Sequence, residues 1–188
     1  PISDISTWLI LVFVILSIVI LVEIIFAVRS LRQTPLPPVP PKIVALRGGT
    51  ISLLSDKKVY QVGEVLPVHV QISTGGKKTD GTDLLLKFDP KILEASAASI
   101  VRGDLYTDYP PVAVNSKTGT IGFSGISSTT GFSGTGLFAT INFKAKLRGS
   151  TALIVDFKPG LTTDSNMVEN GTSKDILEQV VNLNLDIQ

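Results

Sequence analysis

A long apolar run near the N-terminus constrains this chain more than any other feature. From Trp8 to Val28 all residues are hydrophobic except Ser17 and Glu23. A helix needs about 20 apolar residues to cross about 30 Å of hydrocarbon. The apolar residues would also surround the whole helix, unlike those of an amphipathic surface helix. We therefore predict that residues 1–33 form a helix hidden from water, in a membrane or against like helices through residues 8–28.

A single-pass anchor is the simplest interpretation of this segment. A cleaved signal peptide has a shorter apolar stretch, of about 7–15 residues, and a small-residue cleavage site after it. The run here is longer, and no such site follows it. The segment is therefore expected to remain part of the working protein.

The charges that flank the apolar run raise a question of orientation. Arg29, Arg32 and Lys42 follow the run, whereas Asp4 precedes it. Basic residues favour the cytoplasmic side, but the domain that follows has the features of an exterior domain. Two explanations are open: a basic leader was removed before Pro1, or only an initiator methionine was.

The first explanation resembles the processing of type IV pilins and related archaeal filament subunits. Their basic leader is cut, and the mature chain then begins with an apolar helix. Bacterial pilins carry Glu at the fifth mature position, where this chain has Ile5, and the nearest acid is Asp4. Glu23 can pair with a neighbouring helix or lie near a membrane edge. Asp4 and Glu23 are therefore the candidate residues for helix assembly.

A proline-rich stretch follows the helix, and we assign residues 34–47 to a linker. Proline cannot continue a helix and favours polyproline II, which is a semi-rigid spacer. The prolines of this stretch are Pro35, Pro37, Pro38, Pro40 and Pro41.

Residues 48–188 show the alternation of half-buried strands. Leu66, Val68, Val70 and Ile72 alternate with other residues, and so do the positions in GLFATINFKAKL and VVNLNLDI. In the former, Leu137 to Leu147 at every second position are expected to face inward and Phe138 outward. Pro67 is expected at an edge or a bulge. About eight such strands, separated by turn residues, predict an all-β sandwich.

Four motifs follow one another along this domain: Phe88-Asp89-Pro90 with Leu93-Glu94, the strand 119–124, the stretch 134–145 and the pair Asp164-Ser165. They resemble the motifs of cohesin modules. Their order along the chain is more specific than any one motif. Asp89 is expected to cap a short turn, with Leu93, Phe123 and Phe143 in the interior. The resemblance implies a jelly-roll of about nine strands that binds dockerin modules through one exposed sheet face.

Composition and motifs argue against catalysis and nucleic-acid binding. The chain has 17 Lys and Arg against 16 Asp and Glu, and no basic run with interleaved aromatics. It has no cysteine, and its one histidine, His69, is expected on the solvent face of a strand. No nucleophile motif, zinc-ligand set or carboxylate pair stands out, so we predict no enzyme activity.

Two acidic pairs and one sequon are weaker signals. Asp80 with Asp83 and Asp104 with Asp108 could hold Ca²⁺, although turn chemistry is favoured for both, and Asp80-Gly81 is a tight-turn signal. No other cofactor is expected. Asn170 begins an Asn-Gly-Thr glycosylation sequon.

These observations lead to two hypotheses about function. The first is a cell-surface protein, held by its N-terminal helix, that displays the sandwich for protein–protein binding or adhesion. The alternative is a pilin-like subunit of an extracellular filament, whose helices form the core and whose sandwiches contact identical subunits.

Overall fold

The computed structural model describes residues 3–32, 48–128 and 130–188. The chain consists of two compact units, Pro1–Val44 and Ala45–Gln188. The predicted linker, residues 34–47, lies outside the described residues, and the predicted domain boundaries stay predictions.

The N-terminal unit contains one long α-helix, α1 (Ser3–Arg32). Its span Trp8–Val28 has a mean hydropathy of 3.3 and is long and apolar enough to cross a membrane, by length and composition alone. Every side chain from Trp8 to Val28 is exposed. The Ser17 hydroxyl donates to the Phe13 carbonyl oxygen at 2.8 Å, so this polar group is satisfied within the helix.

The C-terminal unit is a sandwich of two β-sheets. The first sheet comprises β1 (Gly49–Leu54), β3 (Val65–Ser73), β5 (Leu93–Glu94), β6 (Ile100–Arg102), β9 (Thr135–Ala145) and β12 (Leu177–Val181). The second comprises β2 (Val59–Tyr60), β4 (Thr79–Lys87), β7 (Ala113–Asn115), β8 (Thr120–Ile126), β10 (Gly149–Val155), β11 (Asn166–Glu169) and β13 (Leu183–Ile187). The first sheet has the order β12-β1-β3-β9-β5, with β6 also on β9, and the second has the order β2-β13-β10-β4-β8-β7, with β11 also on β4.

A bulge in β9 corrects the predicted alternation of that strand. Val70 pairs with Ala139 and Gln71 pairs with Leu137, so Phe138 is an extra residue between two pairs. The bulge turns Phe138 into the core, where it is 0% exposed, and leaves Leu137 43% exposed. The prediction that Leu137 faces inward and Phe138 outward was therefore wrong. Leu147, past the end of β9, is exposed as well.

Pro67 lies within β3, which is a central strand and not an edge. Its position is tolerated because β1 ends at Leu54, opposite His69, so β1 does not extend as far as Pro67. The Pro67 carbonyl instead accepts a hydrogen bond from the Ser55 hydroxyl at 3.3 Å. The bulge in this pairing lies farther along, between Val70 and Gln71. Pro67 is thus at an edge only locally.

The C-terminal VVNLNLDI stretch forms parts of two strands and not one. β12 runs parallel to β1 in the first sheet, whereas β13 runs antiparallel to β10 in the second. The chain changes sheets at Asn182, whose Oδ1 accepts a hydrogen bond from the Val155 N–H at 2.9 Å. Alternation alone cannot reveal such a change, because the inward face points to the same core from either sheet.

Asp80 and Gly81 lie inside β4, so the turn expected at these residues is absent there. The turn between β3 and β4 uses Gly75 and Gly76, at φ 63° and 85°. These left-handed conformations suit glycine, so the Gly-Gly pair determines where the chain reverses.

The core between the two sheets is apolar. Phe123 of the second sheet and Phe143 of the first are 2% and 0% exposed, so these two residues lie in facing sheets and not in neighbouring strands. Leu93 is 0% exposed as well. The Asp89 Oδ1 accepts a hydrogen bond from the Lys91 N–H at 2.8 Å, which confirms its role as the cap of the turn before β5.

Candidate functional site

The outer face of the second sheet carries two depressions. β10, β4, β8 and β7 lie side by side in it, and their alternate residues point away from the core. We name this surface the β4–β8 face. Its residues are Asp83, Leu85, Lys87, Ala113, Asn115, Thr120, Gly122, Ser124, Ile154 and Asp156.

Small and apolar residues cross the middle of the β4–β8 face. Leu85 pairs with Gly122, which pairs with Ala113. A Cβ atom at Gly122 would lie 3.6 Å from Leu85 Cδ2 and 3.7 Å from Ala113 Cβ, in ordinary van der Waals contact with both neighbours. Two depressions, of about 650 and 340 Å³, share these three residues. The absence of a side chain at Gly122 keeps the centre of the face low.

A polar row borders this apolar centre on one side. Lys87 pairs with Thr120, which pairs with Asn115. The Lys87 Nζ lies 2.8 Å from Asp156 Oδ2, and both side chains are partly exposed. Charged groups here stay near water and are available to a partner's polar groups.

The residues between β10 and β11 form a loop beside β4, and we name residues 156–165 the flanking loop. Its ends meet because the Ser165 N–H donates to the Asp156 carbonyl at 2.8 Å. Leu85 N–H donates to Ser165 Oγ at 2.9 Å, and Asp156 N–H donates to the Leu85 carbonyl at 2.7 Å. On the side of β4 opposite β8, Leu85 lies between the ends of β10 and β11, and the loop's ends satisfy its backbone there. Thr162 and Thr163 of this loop line the smaller depression.

The structure gives Asp80 and Asp83 different partners. Asp80 Oδ1 accepts a hydrogen bond from the Asn170 amide at 2.5 Å, whereas Asp83 Oδ1 accepts one from the Ser124 hydroxyl at 2.5 Å. Asp104 and Asp108 are exposed. Among the described residues, no three His, Cys, Asp or Glu side chains converge as a metal centre would require. Calcium binding at the predicted pairs stays a prediction.

Asn170 lies in the turn that follows β11 and is exposed. Its neighbour Gly171 has a φ of 75°, and the Thr172 hydroxyl donates to Glu169 Oε2 at 2.8 Å. The sequon is on the surface, as the sequence predicts, and its glycosylation stays a prediction.

His69 points out of the sandwich from the first sheet and is half-buried. Its Nδ1 lies 3.0 Å from Oγ1 of Thr140, the residue paired with His69 in the neighbouring strand β9. This arrangement fits the predicted solvent-facing position. In the N-terminal helix, Glu23 is exposed and Asp4 lies in the first turn. The roles of Glu23 and Asp4 in helix assembly stay predictions.

Sequence reasoning did not single out the central row of the β4–β8 face. Leu85 and Gly122 occupy outward positions in strands whose inward residues were predicted. A glycine at an outward position of a strand was the available signal, because it marks a close approach of another group. Without knowing which strands are neighbours, the row of three residues could not be assembled.

The family model described as "Cohesin domain" matches residues 50–182 of the chain. No curated protein sequence matched. Among solved structures, a type II cohesin dyad from Acetivibrio cellulolyticus is similar with a TM-score of 0.60 at 14% identity, over 74% of this chain and 48% of that one. The chain therefore spans about half the length of that dyad.

Two further structures cover more of their own length. A cohesin in a type I cohesin–dockerin complex from Clostridium thermocellum is similar with a TM-score of 0.57 at 15% identity, over 74% of this chain and 99% of that one. A non-cellulosomal cohesin from the hyperthermophilic archaeon Archaeoglobus fulgidus is similar with a TM-score of 0.56 at 20% identity, over 75% and 91% of the two chains. At such identities the likeness concerns the fold.

Proposed function

Because this chain belongs to the cohesin domain family, we propose that it is a non-catalytic protein that binds a protein partner on the β4–β8 face and holds it at the cell surface. Cohesin domains are protein-binding modules whose partners are dockerins. The family is typical of extracellular and cell-surface assemblies. The finer part of the proposal, which surface binds and what anchors the chain, depends on the observations that follow.

One observation carries the choice of surface: two depressions meet on the β4–β8 face at Leu85, Gly122 and Ala113. Interfaces commonly have an apolar centre surrounded by polar groups. Here the apolar row has Lys87, Asp156 and Asn115 on one side. The outer face of the first sheet carries the polar residues Gln71, His69 and Thr140 at its centre. The exposed apolar residues Leu137 and Val101 lie beside them, and neither lines one of the two depressions.

The partner's chemistry follows from the shape of this face. A broad, shallow surface with a low apolar centre suits apolar side chains that project from a partner's helix, with polar groups at its rim. The Clostridium thermocellum relative was solved in a complex with a dockerin. A dockerin-like module is therefore the partner that we propose for this chain.

The N-terminal helix supplies the proposed anchor. The 21 residues Trp8–Val28 span about 31 Å at 1.5 Å per residue, which is close to the thickness of a hydrocarbon core. The exposed apolar side chains of this span need a non-aqueous environment, and a lipid bilayer provides one. The sandwich would then be held at the membrane of the cell surface.

A single substitution tests the docking surface. Leu85→Glu places a charge in the middle of the apolar row without entering the core. Immobilised full-length protein in detergent is exposed to the secreted proteins of the source organism, and bound proteins are identified by mass spectrometry. We expect the wild type to retain a dockerin-like protein. Leu85→Glu is expected to bind that protein with an affinity that is lower by about 30-fold or more.

The matched control is Gln71→Glu, which adds the same charge to the outer face of the other sheet. It is expected to retain the partner. If Leu85→Glu binds the same proteins as wild type, or if Gln71→Glu loses them equally, the β4–β8 face is not the docking surface.

Glu23 favours a second candidate, a filament subunit. A carboxylate within an apolar span is costly in lipid and is commonly paired with another helix. Subunits with clustered N-terminal helices would provide such pairs, and Asp4 in the first turn could contribute. Electron microscopy of wild type and Glu23→Leu separates the two. Fibres that Glu23→Leu abolishes support the filament, whereas single particles from both variants support the anchor.

A further inference from the structure

Asp164, at the end of the flanking loop, holds a carboxylate oxygen whose burial the fold does not explain. The side chain is 6% exposed, and its Oδ2 accepts a hydrogen bond from the Lys158 N–H at 2.5 Å. Its Oδ1 is buried and has no hydrogen-bond partner among the described residues. An unpaired buried carboxylate oxygen is costly, and a bound cation would satisfy it.

Asn166, two residues farther along, presents a second oxygen of the same kind. Its Oδ1 is also buried and has no partner in the described part of the chain. Its amide nitrogen donates weakly, at 3.4 Å, to the Asp164 carbonyl oxygen. Asp164 and Asn166 line the same depression, of about 340 Å³. The two residues that carry these unsatisfied acceptors thus line one depression.

Asp83 and Ser124 supply further oxygens to this depression. Asn166 pairs with Asp83 across β11 and β4, and Asp83 pairs with Ser124 across β4 and β8. All three residues line the depression together with Thr162 and Thr163 of the flanking loop. The lining therefore offers two carboxylates, one amide oxygen and several hydroxyls.

The chemistry of these groups selects the ligand. They are oxygen donors without His or Cys, which argues against zinc and other transition metals. Ca²⁺ accepts six to eight oxygens in irregular geometry, including carboxylate, amide and carbonyl oxygens. Mg²⁺ needs a nearly octahedral set and gives up its water reluctantly.

We propose that Asp164, Asn166 and Asp83 form a Ca²⁺ site at the base of the flanking loop. With only two carboxylates, its affinity belongs to the weak range of extracellular modules, with a Kd of about 1 mM. The ion would connect the end of the loop to β4 and β8. The site shares Asp83 and the smaller depression with the β4–β8 face, but its test needs no protein partner, so each proposal can fail without the other.

The test measures the thermal unfolding of the full-length chain in a non-ionic detergent. Addition of about 10 mM Ca²⁺ is expected to raise the Tm of the sandwich by about 5 °C, and NaCl of matched ionic strength is expected to have no such effect. Asn166→Asp adds a third carboxylate and is expected to tighten Ca²⁺ binding about tenfold. Asp164→Asn is expected to abolish the response.

Asp108→Asn is the matched control, because Asp108 is an exposed carboxylate that does not line the depression. It is expected to keep the full Ca²⁺ response. The proposal is overturned if Ca²⁺ leaves the Tm of both wild type and Asn166→Asp unchanged, a result that stays decisive even if Asp164→Asn does not fold. In that case a rotated Asn166 amide that donates to Asp164 is the explanation. Equal loss of the response in Asp108→Asn would also overturn it.

Discussion

The N-terminal helix and the sandwich are both rich in apolar residues, but the helix exposes their side chains and the sandwich buries them. In the helix the large apolar side chains from Trp8 to Val28 are all exposed, and none of that span is buried. In the sandwich most inward side chains are almost fully buried between two sheets, as Phe123 and Phe143 are. The sandwich thus buries its apolar side chains within its own fold, whereas those of the helix need lipid or other helices around them.

Matched phenylalanines give the largest expected effect. Phe138 is buried and its ring lies 4.9 Å from that of Phe123, whereas Phe13 is 68% exposed on the helix. Phe138→Ala is expected to lower the free energy of unfolding of the sandwich by about 3–5 kcal/mol. Phe13→Ala is expected to leave it unchanged. Urea denaturation of both variants in detergent, followed by the circular-dichroism signal of the sheets, measures the difference.

Equal effects of these two substitutions would contradict this difference between the helix and the sandwich. They would mean that the helix contributes to the stability of the sandwich as much as its own core does.

A buried hydroxyl gives an intermediate effect. Tyr106 is 5% exposed, and its hydroxyl lies 2.9 Å from Thr79 Oγ1 and 2.7 Å from Thr82 Oγ1. Tyr106→Phe removes a polar group that is paired inside the core, so Thr82 Oγ1 loses its hydrogen-bond partner, whereas Thr79 Oγ1 still donates to the Phe132 carbonyl at 3.0 Å. The expected cost is about 1–3 kcal/mol in the free energy of unfolding at neutral pH.

The same residue makes this effect depend on pH. Burial raises the pKa of Tyr106, and the hydrogen bonds from Thr79 and Thr82 oppose that rise only in part. Because the folded pKa lies above the unfolded value, the contribution of the neutral phenol is present below about pH 10 and is lost as the pH rises through the folded pKa. The difference between wild type and Tyr106→Phe should therefore shrink at alkaline pH. A difference that grows above pH ~10 would contradict the assignment.

A surface ion pair gives the smallest effect. Lys87 and Asp156 are partly exposed, and their charges are screened by water. Lys87→Met is expected to change the free energy of unfolding by less than about 1 kcal/mol in thermal or urea denaturation. A larger loss would show that the rim of the β4–β8 face helps to hold the flanking loop in place.

The sequence predicted the parts of this fold that depend on local pattern. The apolar helix, the β-sandwich with the cohesin fold and the burial of Leu93, Phe123 and Phe143 are confirmed. The helix and the sandwich follow from hydrophobicity and periodicity within each segment, whereas the cohesin fold and the interior positions of Leu93 and Phe123 came from the resemblance to cohesin motifs. The cap at Asp89 followed in the same way from its place before Pro90.

The features that were missed depend on contacts between distant segments. The inward position of Phe138 results from a bulge against β3, and the change of sheet at Asn182 depends on two separate pairing partners. The depressions on the β4–β8 face need β4, β8 and β7 as neighbours, and the role of Ser165 needs β4 beside it. No pattern within a single segment specifies such neighbours.

Sedimentation of the full-length chain after detergent removal tests most directly whether the apolar helix needs shielding from water while the sandwich does not. We expect the chain to sediment as large assemblies in buffer and to return to small particles when detergent or lipid is restored. The circular-dichroism signal of its sheets is expected to persist throughout. A stable monomer in plain buffer with the helix intact would contradict these expectations.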